Sequence, residues 1–119
     1  MNGDEQLATK VRNFEMVYLP IVVCGKLLFG AKNSNKPLSN QIRYCEFMES
    51  AIILNINYLV AEEYAHIRKQ LKDKGKPIPE NDIWIAAICL SNQLPLATKD
   101  KHFRYIEGLI ILDDLFITE

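Results

Sequence analysis

The chain is 119 residues long, 49% hydrophobic and 24% charged, with 5 Gly and 5 Pro. Those values describe one globular domain and exclude disordered, collagen-like and two-domain architectures. Lys and Arg number 14 against 15 Asp and Glu, a net charge of −1. Bulk charge therefore nominates no nucleic-acid partner, and only a local patch can do so.

Cys24, Cys45 and Cys89 are odd in number, far apart, and lack the Cys/His spacing of a metal site. They read as buried, reduced thiols of a cytosolic protein. The longest apolar stretches, residues 16–25 and 83–90, fall short of the roughly 20 residues that span a bilayer. Met1 is followed by Asn-Gly-Asp-Glu, which opens neither a signal peptide nor a transit peptide. A cytoplasmic protein of one domain, residues 1–119, is expected.

Leu7, Val11 and Phe14 stand at helical spacing behind Asp4 and Glu5, acids suited to a first helical turn. Residues 16–19 are a short run of strand formers stopped by Pro20. A helix is expected to start with Pro20 near its first position and to run through Phe29, with Gly30 and polar residues 32–36 ending it. Residues 41–49 form the next helical stretch, where Ile42, Cys45 and Met48 recur every third position. Residues 51–56 follow as a strand. The clearest helix covers residues 58–74: Val60, Tyr64, Ile67 and Leu71 make one apolar stripe, and Gly75 sits where a terminating glycine belongs. Pro77 and Pro79 mark a loop, and Ala86 and Ala87 favour a buried helix over residues 83–90. Residues 94–98 and 109–112 read as short buried strands around a Lys/His/Arg-rich loop. Strands alternating with helices predict an α/β domain with a mostly parallel sheet.

That pattern places the acids. A helix from residue 82 to 93 runs roughly 17 Å at about 1.5 Å per residue. The strand after it returns nearly as far, at roughly 3.3 Å per residue. Asp82 and Asp100 should therefore meet at the carboxyl edge of the sheet, where ligands bind in such folds. Two carboxylates there suit a hard divalent cation such as Mg²⁺ or Mn²⁺. Plainer readings stand beside this one. Asp82 also suits the helix dipole, and Asp100, between Lys99 and Lys101, also suits a solvated loop.

Two segments narrow the choice: Lys76-Pro-Ile-Pro-Glu-Asn-Asp-Ile-Trp-Ile-Ala-Ala87 and Leu96-Ala-Thr-Lys-Asp-Lys-His-Phe103. They resemble PIN-domain ribonucleases, and more narrowly the VapC-type toxins of type II toxin–antitoxin systems. Residues 17–20, 25–31 and 60–68 extend the likeness in the family's order. The resemblance implies a PIN-like three-layer sandwich, a mostly parallel central sheet flanked by helices. It further implies a Mg²⁺- or Mn²⁺-dependent endoribonuclease cleaving RNA, with tRNA or another structured RNA as the substrate class. A homodimer and a cognate antitoxin are its implied partners. By the same match Asp82 and Asp100 are the third and fourth acids of a four-acid metal site, the catalytic and metal-holding pair. Asn81 and Thr98 fall where residues support that site.

Two positions depart from the pattern. The family's second acid, a glutamate six residues after the proline, corresponds to Lys26. Its first acid closes an N-terminal strand with no counterpart before Met1, so that strand is expected to be missing. Asp4 and Glu5 match a later region and do not replace it. The matched positions then sum to −1, and an ammonium about 5 Å from Mg²⁺ is repelled by roughly 7 kcal/mol at an effective dielectric near 20. Lys26 is expected either to pair with Asp82 or Asp100 in the ion's place, or to reach solvent from an apolar helix. The alternative to an enzyme is a catalytically degenerate PIN remnant that binds RNA, antitoxin or itself. An unrelated α/β domain is a third reading, and a large separation of Asp82 from Asp100 would favour it.

Basic residues give the second clue. Arg68, Lys69, Lys72, Lys74 and Lys76 form either the solvated face of a helix or a phosphate-binding stripe. Lys99, Lys101, His102 and Arg104 flank Asp100 and are the candidate RNA phosphate contacts. Tyr64 and Trp84 read as core anchors.

Overall fold

The computed structural model describes residues 17–112. The expected helix bearing Leu7, Val11 and Phe14, with Asp4 and Glu5, lies outside the described residues. The chain divides into two units, one ending at Asn55 and the other starting at Ile56.

In the first unit, β1 (Tyr18–Pro20) runs directly into α1 (Ile21–Lys32). Pro20 has φ −60° and ψ 140°, so it closes the strand and caps the helix instead of opening its first turn. α1 buries Val23, Cys24, Leu27 and Ala31. Ala31 is fully buried, and its burial carries the helix through Gly30, where the sequence suggested a stop. α2 (Pro37–Glu49) starts four residues earlier than expected, on Pro37. Proline suits a first helical position because the N–H it lacks would have no partner there.

The inward face of α2 also differs from the expected one. Phe47 is buried, whereas Ile42 and Cys45 are exposed and Met48 is half-buried. A step of three residues turns only about 300° at 3.6 residues per turn, so a strict three-residue recurrence drifts off any one face. β2 (Ile52–Leu54) then pairs in parallel with β1, with Tyr18 opposite Ile52, Leu19 opposite Ile53 and Pro20 opposite Leu54. The Ile52 N–H donates to the Val17 carbonyl at 2.8 Å. α1 and α2 supply the crossover that a parallel pair requires.

The second unit opens on α3 (Tyr58–Lys74). The Asn57 side chain caps it, accepting from the Val60 N–H at 3.0 Å. Val60, Ile67 and Leu71 are buried as the stripe predicts. At the other end Gly75 has φ 68°. There Gly75 N–H donates to Lys72 O at 3.1 Å and Lys76 N–H to Leu71 O at 3.0 Å. This paired closure takes up carbonyls that the last turn leaves without partners.

α4 (Glu80–Ser91) follows Pro79 and packs against α3. Residues 94–98 and 109–112 are not strands. They meet in one parallel bridge, Leu96 with Ile111, where Leu96 N–H donates to Ile110 O and Leu112 N–H to Leu96 O, both at 2.9 Å. Local bonds shorten the ladder on one side. Leu94 N–H turns back to Cys89 O at 2.9 Å, and Asp100 N–H turns onto the Thr98 hydroxyl at 3.1 Å. A 3₁₀ turn, Lys101–Tyr105, lies between the two bridge segments, with Phe103 and Ile106 buried. Among the described residues no helix is long and apolar enough to cross a membrane.

A Cβ added at Gly75 meets nothing within 4 Å, so substitution there costs backbone conformation alone. Gly75→Ala should lower stability by about 1 kcal/mol, and Gly75→Asn by less. Urea unfolding should show a lower midpoint at unchanged slope.

Candidate metal centre

α4 buries Ile83, Ile85, Ala86, Ala87, Ile88 and Cys89, so most of its circumference is core. Its first turn carries Glu80 and Asp82, acids that the positive end of the helix favours. Asp82 is only 7% exposed. A buried carboxylate needs a partner, and His102 provides it: Nε2 lies 2.7 Å from Asp82 Oδ2. The neighbouring Phe103 fixes that approach. Its ring is buried and lies 4.9 Å from the imidazole, centroid to centroid.

Asp100 joins them. One candidate ligand atom from each of Asp82, Asp100 and His102 lies within 4.8 Å of the other two. The two acids, 18 positions apart in sequence, thus share one locus even though the intervening segment forms a bridge instead of a full strand. The Thr98 hydroxyl orients this corner by accepting from the Asp100 N–H. Asn81 is exposed beside Asp82. Lys99, Lys101 and Arg104 are exposed, and Arg104 Nε donates to Lys101 O at 3.2 Å. Lys26 lies on α1 in the first unit and is half-buried.

The donor set fits a divalent cation. Two carboxylates carry −2, which balances one such ion and not two, and an imidazole nitrogen is a further neutral donor. Thiols do not belong to it. Burial pushes the Cys24 thiol up and the Cys89 thiol up to about 12, so both are protonated at neutral pH. Cys45 is exposed, contrary to the expected burial of all three, because the inward face of α2 is the one carrying Phe47.

The basic face of α3 is largely committed locally. Arg68 donates to the Tyr64 hydroxyl at 2.6 Å and lies 3.6 Å from Glu80. The hydroxyl bond, with the charge of Glu80, holds the guanidinium above its ordinary pKa. Lys69 pairs with Asp73 at 2.9 Å. Lys74 pairs with Glu107 at 3.1 Å and, chiefly through that hydrogen bond, holds the Glu107 carboxyl below the usual range. Lys76 sits 5.1 Å from the centre of the Tyr105 ring. Tyr64 stacks on Trp84 with centroids 3.9 Å apart and planes at 13°. Both rings are half-buried, so they join α3 to α4 at the rim of the core.

The model of the PIN domain matches residues 2–109. The chain belongs to the PIN-domain family. Within it the likeness is to the VapC type. Ribonuclease VapC2 of Haemophilus influenzae is 32% identical over 91 residues, 76% of this chain and 67% of that protein. Ribonuclease VapC2 of Rickettsia felis is 29% identical over 91 residues, 76% of this chain and 68% of that one. The solved VapBC2 of R. felis, bound to a DNA fragment from their promoter, matches 91% of this chain and 79% of its own. Its TM-score is 0.77 at 27% identity. The PIN fold expected from the motifs is therefore the fold of this chain.

His102 is the residue whose place the sequence concealed. It was legible as a basic neighbour of Asp100, not as the partner of Asp82 20 positions away. The available signal was indirect: an acid at the start of a largely apolar helix needs a partner, and His102 precedes a core phenylalanine.

The thiols give a direct check on this packing. At pH 8 a thiol with a pKa of about 12 is ionised in roughly one molecule in 10,000, and only the thiolate reacts. Iodoacetamide should modify Cys45 in the folded protein and reach Cys24 and Cys89 only in denaturant. Mass spectrometry of the digested protein reads the order.

Proposed function

We propose that this VapC-type protein is a metal-dependent endoribonuclease of a toxin–antitoxin pair, with Asp82 and Asp100 as its catalytic, metal-holding residues. The observation that carries the reading is the convergence of Asp82, Asp100 and His102 in a chain of the PIN family. A bound Mg²⁺ or Mn²⁺ supplies Lewis-acid stabilisation of the charge that develops on the phosphate during hydrolysis. The chain's own residues do the rest. Asp82 offers a carboxylate fixed by burial and by His102, and Asp100 offers a more exposed one whose backbone the Thr98 hydroxyl holds. Asn81, exposed at the start of α4, borders the same locus. Lys99, Lys101 and Arg104 present exposed cations beside Asp100, suited to the flanking phosphates of a structured RNA such as tRNA. α3 supplies little of that contact, because most of its cations are paired within the unit.

The family match runs across both units, which supports a single PIN-like domain over residues 1–119. A relative solved as a VapBC complex supports an antitoxin partner. A homodimer and a cytoplasmic location accord with the same reading.

Lys26 favours a second reading. A lysine where the family places a glutamate lowers the affinity for any cation. The protein is then a degenerate member that binds RNA or antitoxin without cutting.

Cleavage of tRNA by the purified chain in Mn²⁺ or Mg²⁺ separates the two. The enzymatic reading expects cleavage that EDTA abolishes and that Asp100→Ala lowers at least 100-fold, a loss of about 2.7 kcal/mol of barrier stabilisation. RNA left intact in both ions overturns it. RNA bound but uncut, with cleavage gained in Lys26→Glu, establishes the second reading.

A further inference from the structure

We infer that His102 is itself a metal ligand, so that Asp82, Asp100 and His102 form a two-carboxylate, one-imidazole set selecting Mn²⁺ over Mg²⁺. The inference rests on the metal-dependent reading above and adds a residue and an ion preference to it.

The argument starts from spacing. Donors about 2.1 Å from an octahedral ion stand about 3.0 Å apart when adjacent and about 4.2 Å apart when opposite. His102 Nε2 and Asp82 Oδ2 are 2.7 Å apart in a hydrogen bond, so an ion that displaces the shared proton meets both atoms near the adjacent separation. The whole set lies within 4.8 Å, which places Asp100 within reach of the same ion. Burial supports the assignment. The Asp82 side chain is 10% exposed and that of His102 31%, so an ion held by this face of Asp82 meets the imidazole directly. A phosphate contact through Nε2 would have to break its hydrogen bond to the Asp82 carboxylate.

Donor chemistry then decides the ion. Mg²⁺ takes oxygen ligands and keeps much of its water; Mn²⁺ also favours oxygen but opens the first-row series whose affinity for nitrogen-containing sites rises toward Cu²⁺. With two carboxylates among the described candidate ligands, a nitrogen donor contributes more to Mn²⁺ than to Mg²⁺. His102 thereby adds a ligand without adding charge.

The test is Mn²⁺ binding to the full chain, read by pulsed electron paramagnetic resonance and by calorimetry, with no RNA present. The bound Mn²⁺ should show ¹⁴N coupling of a directly ligated imidazole and should bind at least tenfold more tightly than Mg²⁺. His102→Gln should lose the nitrogen coupling, weaken Mn²⁺ by about tenfold and leave Mg²⁺ within about twofold. Circular dichroism confirms that the variant folds, and the coupling in the unaltered chain stands as evidence without it. Mn²⁺ bound without nitrogen coupling overturns the inference and leaves the metal-dependent reading intact. An unchanged Mn²⁺/Mg²⁺ ratio in a folded His102→Gln does the same. Failure of the unaltered chain to bind either ion at millimolar concentration overturns both.

Discussion

The buried carboxylate of Asp82 is the constraint on which the second unit turns. α4 is apolar over most of its surface and must run through the core, and its first turn delivers an acid that is 7% exposed. Burying a carboxylate without partners costs several kcal/mol. Two features offset that cost. The free N–H groups at the start of α4 favour negative charge, and His102 closes on Oδ2 at 2.7 Å. Phe103, buried in the core with its ring 4.9 Å from the imidazole, anchors the chain beside it. The hydrophobic effect acting on one ring thereby sets the polar geometry of its neighbour. Asp100, two residues earlier, is carried to the same place by that anchoring.

Charge in this unit is divided between structure and chemistry. On α3 the cations find local partners: Arg68 with Tyr64 and Glu80, Lys69 with Asp73, Lys74 with Glu107. These exposed pairs stabilise little individually. Their consequence is to neutralise a face that would otherwise attract any polyanion. The segment around Asp100 is different, since Lys99, Lys101 and Arg104 flank a carboxylate and stay exposed. A chain with a net charge of −1 can in this way keep a short positive rim where the proposed RNA phosphates would lie. Average charge conceals that rim.

How much of this was legible depended on the range of the interaction. α3 was readable to the residue, because its stripe repeats every three or four positions and its terminating glycine is a local device. The parallel α/β character followed from the alternation of strands with helices, and the meeting of Asp82 with Asp100 from element lengths, although residues 94–98 form a bridge instead of the expected strand. α2 misled because Ile42, Cys45 and Met48 share a spacing that no helical face keeps, whereas Phe47 wins burial by size. Residues 94–98 misled because a short apolar run does not reveal that the backbone at both of its ends is already spent on local hydrogen bonds. His102 was the least legible, since its partner is 20 positions away and a histidine among lysines resembles one more surface cation.

The same residue bears on how a site short of acids can still hold a cation. A carboxylate contributes a donor atom and a negative charge together, so a site with fewer carboxylates loses both. An imidazole restores only the donor. Affinity that arises from charge is thus reduced, while affinity that arises from ligand type is partly recovered. The two kinds weigh differently between ions. Mg²⁺ is held mainly by charge and by oxygen, and first-row ions gain from nitrogen. A PIN site that exchanges carboxylates for a histidine should therefore lose Mg²⁺ first.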